Sequence, residues 1–127
     1  MIIFHLIYFK LESKMMESQK IWWLVTFTYM IIIFFLSSIP GKNIPLIFPF
    51  SDKIIHLVEY MILSLLLKKA LSSSSFKYVS ILAVLIGVIY GVSDEFHQSF
   101  VHGRKCDPGD LIFDTIGCIL GQFLIKK

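Results

Sequence analysis

Charge is scarce in this chain. Only 17% of its 127 residues are Asp, Glu, Lys or Arg, while 56% are hydrophobic. An ordinary soluble domain carries roughly 25% charged residues. The 12 basic residues are scattered and form no basic face interleaved with aromatics, which argues against a nucleic-acid partner. Cysteine is scarcer still. Cys106 and Cys118 are the two present, and they show no CxxC or zinc-type spacing. Cys118 falls roughly two to three turns into an apolar segment, while Cys106 sits in the loop before it, so no disulfide is expected. Ser93 and Ser99 lack a GxSxG or comparable setting, which leaves no evident nucleophile. A chain this short has no room for a second domain. The expected organisation is an N-terminal lead, residues 1–20, and a single domain over residues 21–127.

What the chain does have is long apolar runs. Residues 21–39 carry no charge, open on Trp22 and Trp23, and stop at Pro40-Gly41, as a membrane span of about 20 residues should. Residues 54–71, 77–92 and 110–125 are shorter or flanked by polar groups, but their regular spacing completes a set of four. The fold expected is therefore all-α, a bundle of four transmembrane helices in the cell membrane. Lys10, Lys14, Lys20, Lys68, Lys69, Lys77, Lys126 and Lys127 fall on one side, and Lys42, Lys53, Arg104 and Lys105 on the other. That eight-to-four bias places both termini in the cytoplasm. The lead is ambiguous. Met15 and Met16 are alternatives to Met1 as the start, and residues 2–9 are too short to span and suit the membrane surface. Small residues at Ser37-Ser38 resemble a signal cleavage site, but the apolar run before them exceeds a usual signal core.

Seven of the nine acidic residues lie at or just inside the ends of these runs: Asp52, Glu59, Asp94, Glu95, Asp107, Asp110 and Asp114. In the topology above all seven point to the extracytoplasmic side, while Glu12 and Glu17 stay with the N-terminus. A charge at the centre of a membrane helix costs on the order of 2.5–3.5 kcal/mol, so such groups need partners or a purpose. Asp52, His56, Glu59 and Leu63 share one helical stripe, with Tyr60 at its edge. Gly87, Gly91, Glu95 and Gln98 share another, with Tyr90, Asp94 and His97 beside it. Asp110, Asp114, Gly117 and Gly121 share a third. The two GxxxG pairs suggest that the third and fourth helices pack through their glycines, which would bring Glu95 near Asp110 and Asp114. Gathered carboxylates need a proton or a cation among them. Arg104 is the candidate cation, held by Glu95 and Asp110 and able to grip a carboxylate or phosphate. The structural alternatives are plain ones. His56 and Glu59 pair with each other, Arg104 only closes a salt-bridge network, and Asp107 or Asp110 caps the fourth helix.

The run Asp52-Lys53-Ile54-Ile55-His56-Leu57-Val58-Glu59-Tyr60-Met61-Ile62-Leu63 resembles the DKxxHxxxYxxL element of the VanZ-like membrane protein family. Asp94-Glu95-Phe96-His97-Gln98-Ser99-Phe100 is similar to that family's DExxQxF element. Arg104 followed by Asp110, Gly117 and Gly121 is similar to its closing R…DxxxNxxGxxxG element. Asp114 departs from this pattern by standing where the family usually has Asn, and Cys106-Asp107-Pro108-Gly109 is an unusual filling of the loop. The resemblance implies a small multi-pass bacterial membrane protein, with a namesake associated with resistance to teicoplanin-type glycopeptide antibiotics.

Several readings stand at this point. One is an outer-facing pocket, lined by Asp52, His56, Glu59, Tyr60, Asp94, Glu95, Gln98, Arg104, Asp110 and Asp114. It would bind an envelope component, with membrane lipid, lipid-linked wall precursor and lipoglycopeptide as candidates. Another is a membrane enzyme, with His56 or Glu95 as general base and Arg104 stabilising charge on a transferred group. A third is proton or cation handling through the carboxylates and histidines. The last is a network that only fixes helix packing. No cofactor is called for. His56, Glu59, Glu95 and His97 offer metal-ligand atoms, but no spacing diagnostic of a metal site. Oligomeric state is not encoded in any pattern found.

Overall fold

The structure, a computed structural model, describes residues 1–44, 47–72 and 77–125. Among these it is all-helical. Helix α1 spans Ile2–Ser37, a 3-10 turn occupies Gly41–Asn43, and α2 (Ser51–Leu71), α3 (Val79–Gln98) and α4 (Pro108–Gly121) follow. No proline or glycine precedes Pro40, so nothing interrupts α1, and the lead continues as helix straight into the first apolar run. The change at residue 20 is one of composition. The helix is about 54 Å long at ~1.5 Å per residue, well beyond the ~30 Å of a bilayer's hydrocarbon. Gln19 ties the lead to the body by donating to the Ala70 carbonyl at 3.3 Å.

Of the four expected spans, α1 and α3 are long and apolar enough to cross a membrane. Two others fall short on their own terms. Helix α2 carries Asp52, Lys53, Glu59, Lys68 and Lys69, and α4 has 14 residues, about 21 Å. Lys126 and Lys127, which enter the charge count, lie outside the described residues.

Burial is inverted relative to a water-soluble protein. His56, Lys68, Asp94, Glu95, Gln98, Asp110 and Asp114 are buried, whereas Phe27, Phe35, Leu85, Ile89, Phe96 and Ile112 are exposed. A hydrocarbon surround produces this pattern, because the outside then needs no polar groups and ionisable side chains turn inward to one another. The apolar core is small: Ile33 of α1, Tyr60, Leu63 and Leu67 of α2, Ala83 of α3 and Cys118 of α4. Both cysteines are free, Cys106 exposed and Cys118 buried.

The glycines correct the expected packing. A Cβ on Gly117 would strike the Leu57 carbonyl oxygen, and one on Gly121 the Met61 carbonyl oxygen. The GxxxG of α4 therefore seats on α2 rather than on α3. The reason is electrostatic. Asp110 and Asp114 lie on the same stripe as those glycines and turn toward Lys53 and His56 of α2, so the glycines face α2 with them. Helix α3 packs its glycines against α4 side chains instead. A Cβ on Gly87 would lie 2.6 Å from Cys118 Sγ, and one on Gly91 3.1 Å from Asp114 Oδ2. At the far end of this α2–α4 seam, Ser64 donates to the Cys118 carbonyl at 2.7 Å. Lys68 Nζ donates at 2.7 Å to the carbonyls of Gln122 and Ile125, which ties α2 to the C-cap of α4 and the segment after it.

Candidate functional site

The site forms where the end of α1, the start of α2, the end of α3 and the start of α4 meet. Two loops close over it. Gly41 N–H donates to the His102 carbonyl at 3.1 Å, and the approach is so close that a Cβ on Gly41 would overlap the Gly103 carbonyl. Gly103 itself takes a φ of +76°, a left-handed conformation that favours glycine.

His56 is the hub. Its Nδ1 meets Asp114 Oδ1 at 2.9 Å and its Nε2 lies 3.8 Å from Asp110 Oδ2. Ligand atoms of His56, Asp94 and Glu95 all fall within 4.8 Å of one another. Tyr60 lies behind His56, fully buried, its ring nearly parallel to the imidazole with centroids 6.4 Å apart. Asp94 Oδ2 accepts from Gln98 Nε2 at 3.1 Å. Glu95 Oε2 accepts from the Asp107 N–H at 2.9 Å, which pins the α3–α4 loop. The three predicted stripes thus meet around one imidazole.

Arg104 is placed differently from expectation. It does not rest on Glu95 or Asp110. Its Nε donates to the Ile39 carbonyl at 3.1 Å and its side-chain NH₂ groups to the Leu36 carbonyl at 3.2 Å and Gln98 Oε1 at 3.4 Å. It therefore ties the α3–α4 loop to backbone carbonyls at and just past the end of α1. Among the described residues these bonds use three of its five N–H groups. The cation that does hold the carboxylates is Lys53, whose Nζ lies 2.7 Å from Asp107 Oδ2 and 2.8 Å from Asp110 Oδ1. That bridge, helped by the Gly109 N–H, holds the Asp107 carboxyl below its ordinary range, and the same contacts raise the Lys53 ammonium above its own. Asp107 is the N-cap of α4, accepting from Gly109 N–H at 2.7 Å with Pro108 at the first helical position. Lys53 was legible as part of the Asp-Lys pair but carried no assigned role.

A cavity of about 270 Å³ opens beside this network. Leu36, Ile39, Ile44 and Ile55 give it aliphatic walls. Asp52, His56, Glu59, Asp94, Gln98 and Arg104 give it a polar lining, with Ser37 and Asn43, neither of which was a candidate site residue in the sequence. Tyr60, Glu95, Asp110 and Asp114 stand behind that lining rather than in it. Among the described residues Glu59 does not pair with His56; its backbone carbonyl accepts from Tyr29 Oη at 3.2 Å. His97 sits apart from the cluster, with Nε2 2.9 Å from Ser38 Oγ and its ring 4.4 Å from that of Phe34.

Four helices enclosing a buried His–carboxylate cluster beside a half-polar cavity define a small helical protein with an inverted interior. The chain belongs to the VanZ/LLP1 family, which matches residues 1–126. A relative, the uncharacterized protein C11E3.10 of Schizosaccharomyces pombe, is 28% identical over 94 residues, or 74% of this chain. The chain spans only 58% of that relative's length. No solved structure matches. The family resemblance seen in the sequence is thereby established.

Proposed function

We propose that the protein is a multi-pass cell-membrane protein that binds the headgroup of a membrane amphiphile in the cavity between α1, α2 and α3. The observation that carries this reading is the cavity's two-sided lining, aliphatic at Leu36, Ile39, Ile44 and Ile55 and charged at Asp52, Glu59, Asp94 and Arg104. Its volume falls just below the ~300–1,000 Å³ of small-molecule sites. That suits a lipid headgroup and is too small for the body of a lipoglycopeptide. The mixture of one guanidinium with three carboxylates favours a zwitterionic head, phosphate toward Arg104 and ammonium toward the acids, over a purely anionic one. The yeast relative also favours a lipid common to many membranes over a wall precursor. Resistance to teicoplanin-type drugs would then follow from an altered envelope rather than from drug capture.

In this reading all four helices sit in the bilayer with both termini in the cytoplasm. The cavity end, with Lys42, Lys53, Arg104 and Lys105, faces out. The test is native mass spectrometry of purified protein offered phosphatidylethanolamine or phosphatidylglycerol. The wild type should retain phosphatidylethanolamine in preference, and Arg104→Ala should weaken retention about tenfold without lowering protein yield. Equal retention of both lipids by both proteins would remove the proposal.

One observation favours a second reading. The His56 imidazole lines the cavity with Nδ1 fixed by Asp114 at 2.9 Å, the arrangement of an oriented general base. Conversion of a bound lipid by the purified protein, lost in His56→Gln, would make the site catalytic.

A further inference from the structure

The carboxylates outnumber the cations available to them. The buried carboxylates Asp94, Glu95, Asp110 and Asp114 surround His56, and the positive groups in reach are Lys53, Arg104 and, when protonated, His56 itself. At least one negative charge remains to be met by a proton or a cation, in a setting where an uncompensated charge is expensive. Two buried oxygens confirm the shortfall. Glu95 is 3% exposed and Asp114 is 0% exposed, yet Glu95 Oε1 and Asp114 Oδ2 have no hydrogen-bond partner among the described residues. Buried polar groups in folded proteins are nearly always satisfied.

We propose that His56, Asp94 and Glu95 form a binding site for a divalent transition-metal ion of the zinc or manganese class. Their ligand atoms already lie within 4.8 Å of one another. Around a tetrahedral ion with bonds of ~2.1 Å, donors stand about 3.4 Å apart, so closure needs side-chain adjustments of about an ångström. Asp114 occupies His56 Nδ1 at 2.9 Å, which leaves Nε2 as the ligand. A carboxylate behind a metal-bound imidazole is the usual second partner of such sites, fixing the tautomer and ring orientation. Glu95 keeps one oxygen on the Asp107 N–H and has the partnerless Oε1 to offer. One imidazole with carboxylates, and no sulfur in the set, matches zinc or manganese rather than a soft ion. Asp110, with Oδ2 3.8 Å from His56 Nε2 and Oδ1 on Lys53, stands beside the set rather than in it. His97, grouped with these residues by sequence, is held by Ser38 and takes no part.

The test uses untagged full-length protein in detergent. After dialysis against EDTA it is titrated with Zn²⁺, and its metal content is read by elemental mass spectrometry. Co²⁺ serves as a spectroscopic probe. The expectation is about one equivalent of Zn²⁺, visible-region Co²⁺ bands that Zn²⁺ bleaches, and complete loss of both in His56→Ala. Because that variant strands a buried carboxylate, Glu95→Gln is the decisive one. It keeps the shape and the acceptor for Asp107 N–H, and should weaken Zn²⁺ binding at least tenfold. Asp114→Asn should weaken it ten- to a hundredfold. Wild type holding less than about 0.1 equivalent, or Glu95→Gln binding as the wild type does, overturns the site. Lipid retention is measured on the same samples. Protein that binds metal but no lipid supports this inference while removing the headgroup reading, and the reverse removes only the metal.

Discussion

Replacing His56 by alanine should cost far more than the size of the side chain suggests. Asp114 has no exposure to the surroundings. Its Oδ1 relies on His56 Nδ1 at 2.9 Å, and its Oδ2 has no hydrogen-bond donor among the described residues. Without the imidazole neither oxygen is partnered. Breaking a buried charge pair from one side costs about 3–5 kcal/mol, and we expect His56→Ala to lie in that range. Asp114→Asn in the otherwise native protein should cost about 1 kcal/mol. The amide oxygen still accepts from Nδ1–H, but a neutral hydrogen bond has roughly half the strength of a charge-assisted one. In the double variant the stranded group is a neutral amide, whose unmet bonds cost about 1–3 kcal/mol. The double variant should therefore be more stable than His56→Ala alone, with a coupling energy of about 3 kcal/mol. Steric trapping in bicelles measures these differences at equilibrium. Additive single effects, giving a double variant near 5 kcal/mol below the native protein, would refute the pairing.

Three other outcomes follow from the geometry. Gly117→Ala and Gly121→Ala each drive a Cβ into a carbonyl of α2 and should destabilise by about 1–3 kcal/mol. Gly91→Ala, whose neighbours are side chains, should lie near zero after the ~1 kcal/mol helix gain from alanine; thermal melts of the three variants settle the ranking. The Lys53–Asp107 bridge holds the Asp107 carboxyl below its ordinary range, so its contribution is complete above ~3.9, the ordinary aspartate value, and disappears as pH falls through the lower folded value. A spin label on Cys106 should stay ordered from neutral pH to about pH 4 and loosen below, whereas Lys53→Met loosens it at neutral pH; an equally ordered label in Lys53→Met contradicts the bridge. A membrane-impermeant maleimide should label exposed Cys106 and spare buried Cys118 on intact cells. Labelling only after permeabilisation would invert the proposed orientation.

Much of the site was legible because helical stripes are local. The four-residue step from Asp52 to His56, and that from Asp110 to Asp114, place each pair on one face whatever the helix packs against. The positions of the apolar runs likewise follow from composition and from Pro40, which ends the first. What a stripe faces is not local. Arg104 was the cation the sequence pointed to, yet it is Lys53 that reaches Asp107 and Asp110, because its helix packs directly on α4. The loop contact between Gly41 and Gly103 meanwhile folds Arg104 back onto α1. The glycine pairs were readable as close-approach surfaces, but GxxxG carries no address, and the neighbouring acids steered α4 to α2. The sequence by itself determined an all-helical chain with apolar exteriors and acids collected at the helix ends, since these depend on residue type and period. Only the tertiary structure decided that His56 stands at their centre, that two buried carboxyl oxygens find no partner among the described residues, and that a cavity opens beside them. These depend on which helices touch, a choice made by the sum of charge pairing and backbone approach across four segments.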